Sequence, residues 1–172
     1  MTRIPVSNDI VVAGHPFAPI GMGEHVRSVY RSLRSAGAAV AQRDVYALND
    51  RSDFDYEREF AANLVSSLSG YINIFALNGD EVEQALAHLN DKNFTSALNV
   101  VTPAWELSRY PEEWARHLDR FDEIWSVSEF SRTAISAATR KPVVHLPLAV
   151  EPTLSEFYGR SALGLPEHAF IF

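Results

Sequence analysis

Residues 14–27 hold three glycines, Gly14, Gly21 and Gly23, with Pro16 and Pro19 between them. Before them runs an apolar stretch, residues 9–13, that reads as a buried strand. After them comes the start of an amphipathic helix. A strand, a glycine loop and a helix N-terminus together make a corner suited to anions. Glycine lets the backbone approach a ligand closely. The helix start adds unpaired N–H groups and a partial positive charge. The chemistry expected of Gly21 and Gly23 is therefore binding of a phosphate, or of a sugar that carries one. Glu24 and Arg27 stand beside them. His15 reads equally as a ligand-facing donor or as a structural loop residue.

The helix that follows can be counted out. Val26, Val29, Tyr30, Leu33 and Gly37 fall on one face at a period near 3.6. Gly37 is placed to end it as a C-cap glycine. Arg27, Arg31 and Arg34 form a neighbouring basic stripe. That stripe is either a solvated flank or a contact for lipid phosphates or an anionic acceptor.

Gly21 and Gly23 also suggest a nicotinamide dinucleotide site, with Asp44 near the end of the next strand. The fingerprint for that site needs a third glycine, and Val26 occupies its position. It also follows its strand almost at once, whereas residues 14–20 intervene here.

Composition bounds the other readings. The 172 residues fit one domain by length, with 47% apolar and 22% charged residues, as in ordinary globular chains. A net charge of −7 argues against nucleic acid as a partner. There is no cysteine, which excludes disulfides and thiolate metal sites and fits a reducing compartment. No apolar run reaches the ~18 residues of a membrane span, and residues 1–6 lack a signal-peptide core. The expected location is the cytoplasm, with peripheral contact at the inner face of the membrane left open. The histidines at 15, 25, 88, 117, 145 and 168 show no H-x-H or H-x-x-x-H pair, so no metal site is expected. No G-x-S-x-G elbow is present, and no Walker lysine follows the glycines.

Strand and helix signals alternate along the chain. Further strands are expected from Ala38 to Val45, 71–77, 98–102, 123–127 and 142–148. The polar segment 48–56 reads as a mobile loop. Asp80 is placed to cap a helix, with Glu83 completing a capping box. Pro111 falls in the first turn of a short helix. Ser128 caps the next, with Phe130, Ala134, Ile135 and Ala138 turned inward. This pattern predicts an α/β fold: a Rossmann-like open, mostly parallel sheet with helices on both faces. Ligands of such sheets sit outside the carboxyl ends of the strands. That rim gathers the glycine loop, Asn78, the pair Trp105 and Glu106, and Ser128. Trp105 offers an aromatic face and Glu106 a carboxylate, a combination suited to sugars. The alternative is that Trp105 fills a gap above the sheet and Glu106 is a surface charge.

Ordered blocks across residues 8–150 carry a resemblance. They are Gly21-Met22-Gly23-Glu24 with Arg27, then Asn73 through Asp80, then Trp105-Glu106-Leu107 with Tyr110-Pro111-Glu112-Glu113-Trp114, then Phe121 through Phe130, then Lys141-Pro142-Val143-Val144. In this series the chain resembles the N-terminal half of a family-4 type (group 1) glycosyltransferase of the GT-B fold. The resemblance implies an acceptor-binding domain, residues 1–150, of a retaining hexosyltransferase in bacterial polysaccharide or glycolipid synthesis. It implies a nucleotide-sugar donor, a saccharide or lipid-linked acceptor, and no cofactor or metal. The glycine loop would reach the donor phosphates, and Trp105 and Glu106 lie where acceptor or sugar contacts occur. Catalytic residues stay unknown, because the paired glutamates of the donor domain have no counterpart here. Residues 151–172 are expected to be a linker and the first strand, at 169–172, of a second domain, leaving these 172 residues alone inactive. The rival readings are a stand-alone sugar- or phosphate-binding module, an NAD(P)-dependent oxidoreductase and a nucleotide-sugar epimerase.

Overall fold

A computed structural model describes residues 9–45, 58–150 and 158–172. Segment 48–56, expected as a loop, lies outside the described residues. The chain forms one six-stranded sheet. Its strands are β1 (Ile10–Gly14), β2 (Val40–Asp44), β3 (Ile72–Phe75), β4 (Leu98–Val101), β5 (Glu123–Ser126) and β6 (Val143–His145). All pair in parallel, in the spatial order β2-β1-β3-β4-β5-β6. The expected Rossmann-like α/β fold is what forms.

The central strands β1, β3 and β4 are largely apolar because both faces are covered, whereas β2 carries Gln42, Arg43 and Asp44 and the edge strand β6 is exposed at Val144 and His145. The helices are α1 (Gly21–Ser35), α2 (Val82–Leu89), α3 (Glu112–Leu118) and α4 (Glu129–Ser136). Val12 of β1 faces Met22, Val26 and Tyr30 of α1 in one core. Val11 and Ala13, on the other face, join Val82 and Ala85 of α2, Ala115 and Leu118 of α3 and Ile135 of α4. Parallel crossovers are right-handed, so moving from β1 to β2 puts α1 on one face. Moving the opposite way from β3 to β6 puts α2, α3 and α4 on the other. The direction reverses between β1 and β3.

A single parallel bridge extends the sheet beyond β2. Leu64 pairs with Gln42, and the Val65 N–H donates to the Gln42 carbonyl at 2.9 Å. Counting Leu64 as a one-residue strand, the order becomes 3-2-1-4-5-6-7, which is the 3-2-1-4-5-6 order of doubly wound nucleotide-binding folds with one more strand at the β6 edge.

Several local expectations shift. The Asp80–Glu83 capping box does not form. Glu81 is the N-cap of α2, its carboxylate accepts the Asn78 N–H, and Glu83 pairs with Arg120 at 2.9 Å. Pro111 is the N-cap of α3 rather than its first turn. Ser128 caps α4 as expected, accepting the Ser131 N–H at 3.1 Å. Phe130 is exposed, because only Ser131, Ala134 and Ile135 of α4 turn to the sheet. Residues 169–172 form no strand. They are exposed, and Phe170 and Phe172 pack edge to face with each other.

Gly37 ends α1 at φ +83°. Its N–H donates to the Arg34 carbonyl and that of Ala38 to the Leu33 carbonyl, which is a Schellman closure. Gly37→Ala should cost about 1–2 kcal/mol, the penalty of a β-carbon in left-handed backbone. Urea unfolding of the two proteins measures it, with an unchanged slope expected.

Candidate functional site

The loops after β1, β3 and β4 meet at the carboxyl rim where the strand order reverses. Their shape begins with two glycines. A β-carbon on Gly14 would lie 2.5 Å from the Val26 side chain and 2.9 Å from the Ala76 carbonyl, so Gly14 is what lets α1 approach the sheet. A β-carbon on Gly23 would overlap the carbonyl of Ala18 and lie 2.9 Å from that of His15. The loop is therefore folded back against the first turn of α1.

Arg27 holds it there. Its guanidinium donates to the carbonyls of Pro16 at 2.8 Å and Ala18 at 3.0 Å, and to the Glu24 carboxylate at 2.9 Å. Only 1% of Arg27 is exposed. It does not belong to a solvated stripe with Arg31 and Arg34, because its fork is turned inward onto the loop. Arg31 lies across Glu59 and Glu24 on the surface. Gly21, by contrast, is exposed, and a β-carbon there would meet nothing within 4 Å.

Across the reversal, His15 is buried and its Nε2 stands 3.7 Å from Glu81 Oε1. The His15 imidazole lowers the Glu81 carboxyl below its ordinary pKa, against burial, which raises it; the Asn78 N–H adds to the lowering. The Asn78 side-chain oxygen accepts the Ala104 N–H at 3.2 Å, tying the loop after β3 to the loop after β4. On the same rim His25, from α1, meets the Thr102 hydroxyl at 3.2 Å. Burial pulls its pKa down from 6.5 to about 4.

Trp105, Tyr110 and Trp114 form a cluster of edge-to-face rings with centroids 5.0–6.2 Å apart. This cluster packs against the core, and the Trp105 indole N–H turns inward with no acceptor. Gly79 lies under it, where a β-carbon would overlap the Tyr110 hydroxyl. Burial, helped by the Asp80 charge, pushes the Tyr110 pKa up, against the Gly79 backbone. Trp105 thus occupies the gap above the sheet, while Glu106 beside it is exposed. Ser128 belongs to a hydroxyl cluster with Ser126 and Ser131 that closes the start of α4.

Contacts therefore join His15, Gly23, Glu24, Arg27 and Asn78, through Glu81, into one connected cluster. They leave Trp105, Glu106 and Ser128 in separate local settings on the same rim. Sequence reading missed Glu81, His25 and Thr102. His25 carried a usable signal, since it falls between Met22 and Val29 on the buried side of the helical count. Among the described residues no group of three His, Asp or Glu is placed to hold a metal ion. No described helix is long and apolar enough to cross a membrane.

One opening lies beside this cluster. A cleft of about 490 Å³ runs along α1 beneath residues 148–150, which cross over from β6. Ser28, midway along the helix wall, donates to the Ala149 carbonyl at 2.6 Å.

Two outcomes follow. Gly23→Ala should destabilise the protein by about 1–3 kcal/mol, the cost of overpacking, whereas Gly21→Ala should be neutral or gain up to ~1 kcal/mol; thermal unfolding separates them. His25 stays neutral in the fold down to about pH 4, while the unfolded chain takes up its proton near pH 6.5. Its share of stability is intact above pH 6.5 and is lost as pH falls through 4. At ~1.4 kcal/mol per pKa unit the loss is about 3 kcal/mol. Unfolding free energies measured across this window should fall less steeply with acid in His25→Asn.

Comparison of the chain with models of known protein families and with curated protein sequences yields no match.

Proposed function

We propose that this chain is the acceptor-binding half of a retaining glycosyltransferase that uses a nucleotide-sugar donor in bacterial polysaccharide or glycolipid synthesis. The observation that carries the reading is the glycine loop folded onto α1 at the point where the sheet order reverses. In doubly wound sheets that point is where phosphorylated ligands bind. Gly21 leaves open backbone at the first turn of α1, where N–H groups and the helix dipole favour a donor phosphate. His15, held against Glu81, and Asn78 line the facing loop and offer polar contacts to a sugar. Glu106, exposed on the same rim, is a carboxylate available to acceptor hydroxyls. The proposed setting is cytoplasmic, with a saccharide or lipid-linked acceptor presented at the inner face of the membrane.

The rival with an observation behind it is a dinucleotide oxidoreductase. Asp44 is buried at the end of β2, where such enzymes place an acidic residue for the ribose. Against it, Gly14 already provides the close strand–helix approach that the fingerprint assigns to its third glycine. Arg27 also draws loop carbonyls, not amides, onto the first turn. A bare sugar- or phosphate-binding module would use the same rim and differ in lacking transfer.

Protein-observed NMR with methyl hexosides and nucleotide sugars, beside fluorescence titration with NADH and NADPH, tests the reading. Nucleotide sugars should shift amides of the loops after β1 and β3, hexosides should bind as well, and dinucleotides should not. Low-micromolar binding of NADH or NADPH, with no response to any sugar, would overturn it.

A further inference from the structure

The cleft along α1 has a lining that limits its occupant. On the helix side, Ser28, Ser32 and Ser35 recur at helical spacing, with Glu24 and Arg31 beside them. On the opposite side stand the aliphatic Leu148 and Val150. We propose that this cleft is the seat of a neutral saccharide, the acceptor ring itself. The proposal rests on the reading of the chain as an acceptor-binding domain.

Charge argues against an anion. Arg31 makes a two-pronged contact to Glu59, at 2.9 and 3.0 Å, and a third to Glu24 at 3.2 Å. Its charge is already matched by these two carboxylates, so the cleft wall offers no unmatched cation to an anion. A nucleobase is disfavoured because no Phe, Tyr or Trp among the described residues lines the cleft, and the one ring that does, His25, is buried with its Nε2 at the Thr102 hydroxyl. A purely apolar ligand would strip water from a row of hydroxyls and a carboxylate without replacing their hydrogen bonds. A sugar ring satisfies both walls. Its hydroxyls meet Ser32 and Glu24, and its C–H face lies on Leu148 and Val150. At about 490 Å³ the cleft falls within the usual size of small-molecule sites.

Ser32 is the discriminating position. It is half-buried at the middle of the row, and its hydroxyl makes no hydrogen bond among the described residues, whereas Ser28 is used on Ala149 and Ser35 donates to the Ser32 carbonyl at 2.9 Å. Its backbone is ordinary helix, so Ser32→Leu fills the cleft without disturbing the sheet.

The test is a titration of the 172-residue protein and of Ser32→Leu with methyl α-mannoside, methyl α-glucoside and N-acetylglucosamine, followed by NMR. At least one sugar should shift the amides of Ser28, Ser32, Ala149 and Val150. Ser32→Leu should weaken that binding about tenfold or more with an unchanged melting temperature. Sugar shifts confined to residues 78–81 and 104–106, with Ser32→Leu binding as wild type, would overturn the cleft assignment and leave the acceptor-binding reading standing. Binding of NADH with no sugar response would overturn both. If Ser32→Leu melts lower, Ser32→Ala must still shift the sugar affinity, and wild-type affinity in that variant also counts against the cleft.

Discussion

A buried guanidinium decides the shape of this rim. Arginine stays charged at every relevant pH, and a charge out of water must find hydrogen-bond partners. Arg27 finds them in the carbonyls of Pro16 and Ala18 and the carboxylate of Glu24. Two of those acceptors are the backbone of the glycine loop. Satisfying the charge and bending the loop onto α1 are therefore one constraint. It can be met only because Gly23 has no β-carbon to hold the loop away, and only because Gly14 lets α1 sit close enough to the sheet.

The sheet then sets what faces the loop. With β1 between β2 and β3, the chain leaves β1 toward one side and resumes on the other. This opens a gap between the loops after β1 and β3. His15 and Glu81 meet across that gap, and Asn78 carries the connection to the loop after β4. One pair of polar side chains inside the sheet is matched in the same way, although the buried Gln42 side chain of β2 has no partner among the described residues. Asn73 of β3 and Asn99 of β4 lie in register, and the Asn73 amide donates to the Asn99 side chain at 2.9 Å. Each would be costly alone in a buried strand, and together they fix the pairing of the two strands.

The central strands were legible because a parallel strand covered on both faces is largely apolar, as in β1, β3 and β4, and such runs stand out between turn residues. Gly37 was legible because a helix end needs left-handed backbone. Local rules misled where two solutions compete for the same residues. Asp80 and Glu83 have the spacing of a capping box, yet Glu81 reaches the Asn78 N–H first and moves the helix start. Phe130 has the apolarity of a core residue, but α4 buries only the narrow stripe that faces β5 and β6.

By itself the sequence determined the alternation of strands and helices, the apolar faces that stack them into an open α/β sheet, and the glycine loop after the first strand. These follow from periodicity and backbone permissiveness, which act over a few residues. Only the tertiary structure decided that Arg27 is buried while Arg31 and Arg34 stay outside, that His15 meets Glu81, and that residues 148–150 close a cleft along α1. Those contacts join residues far apart in the chain. They depend on strand order and crossover direction, and no local spacing encodes either.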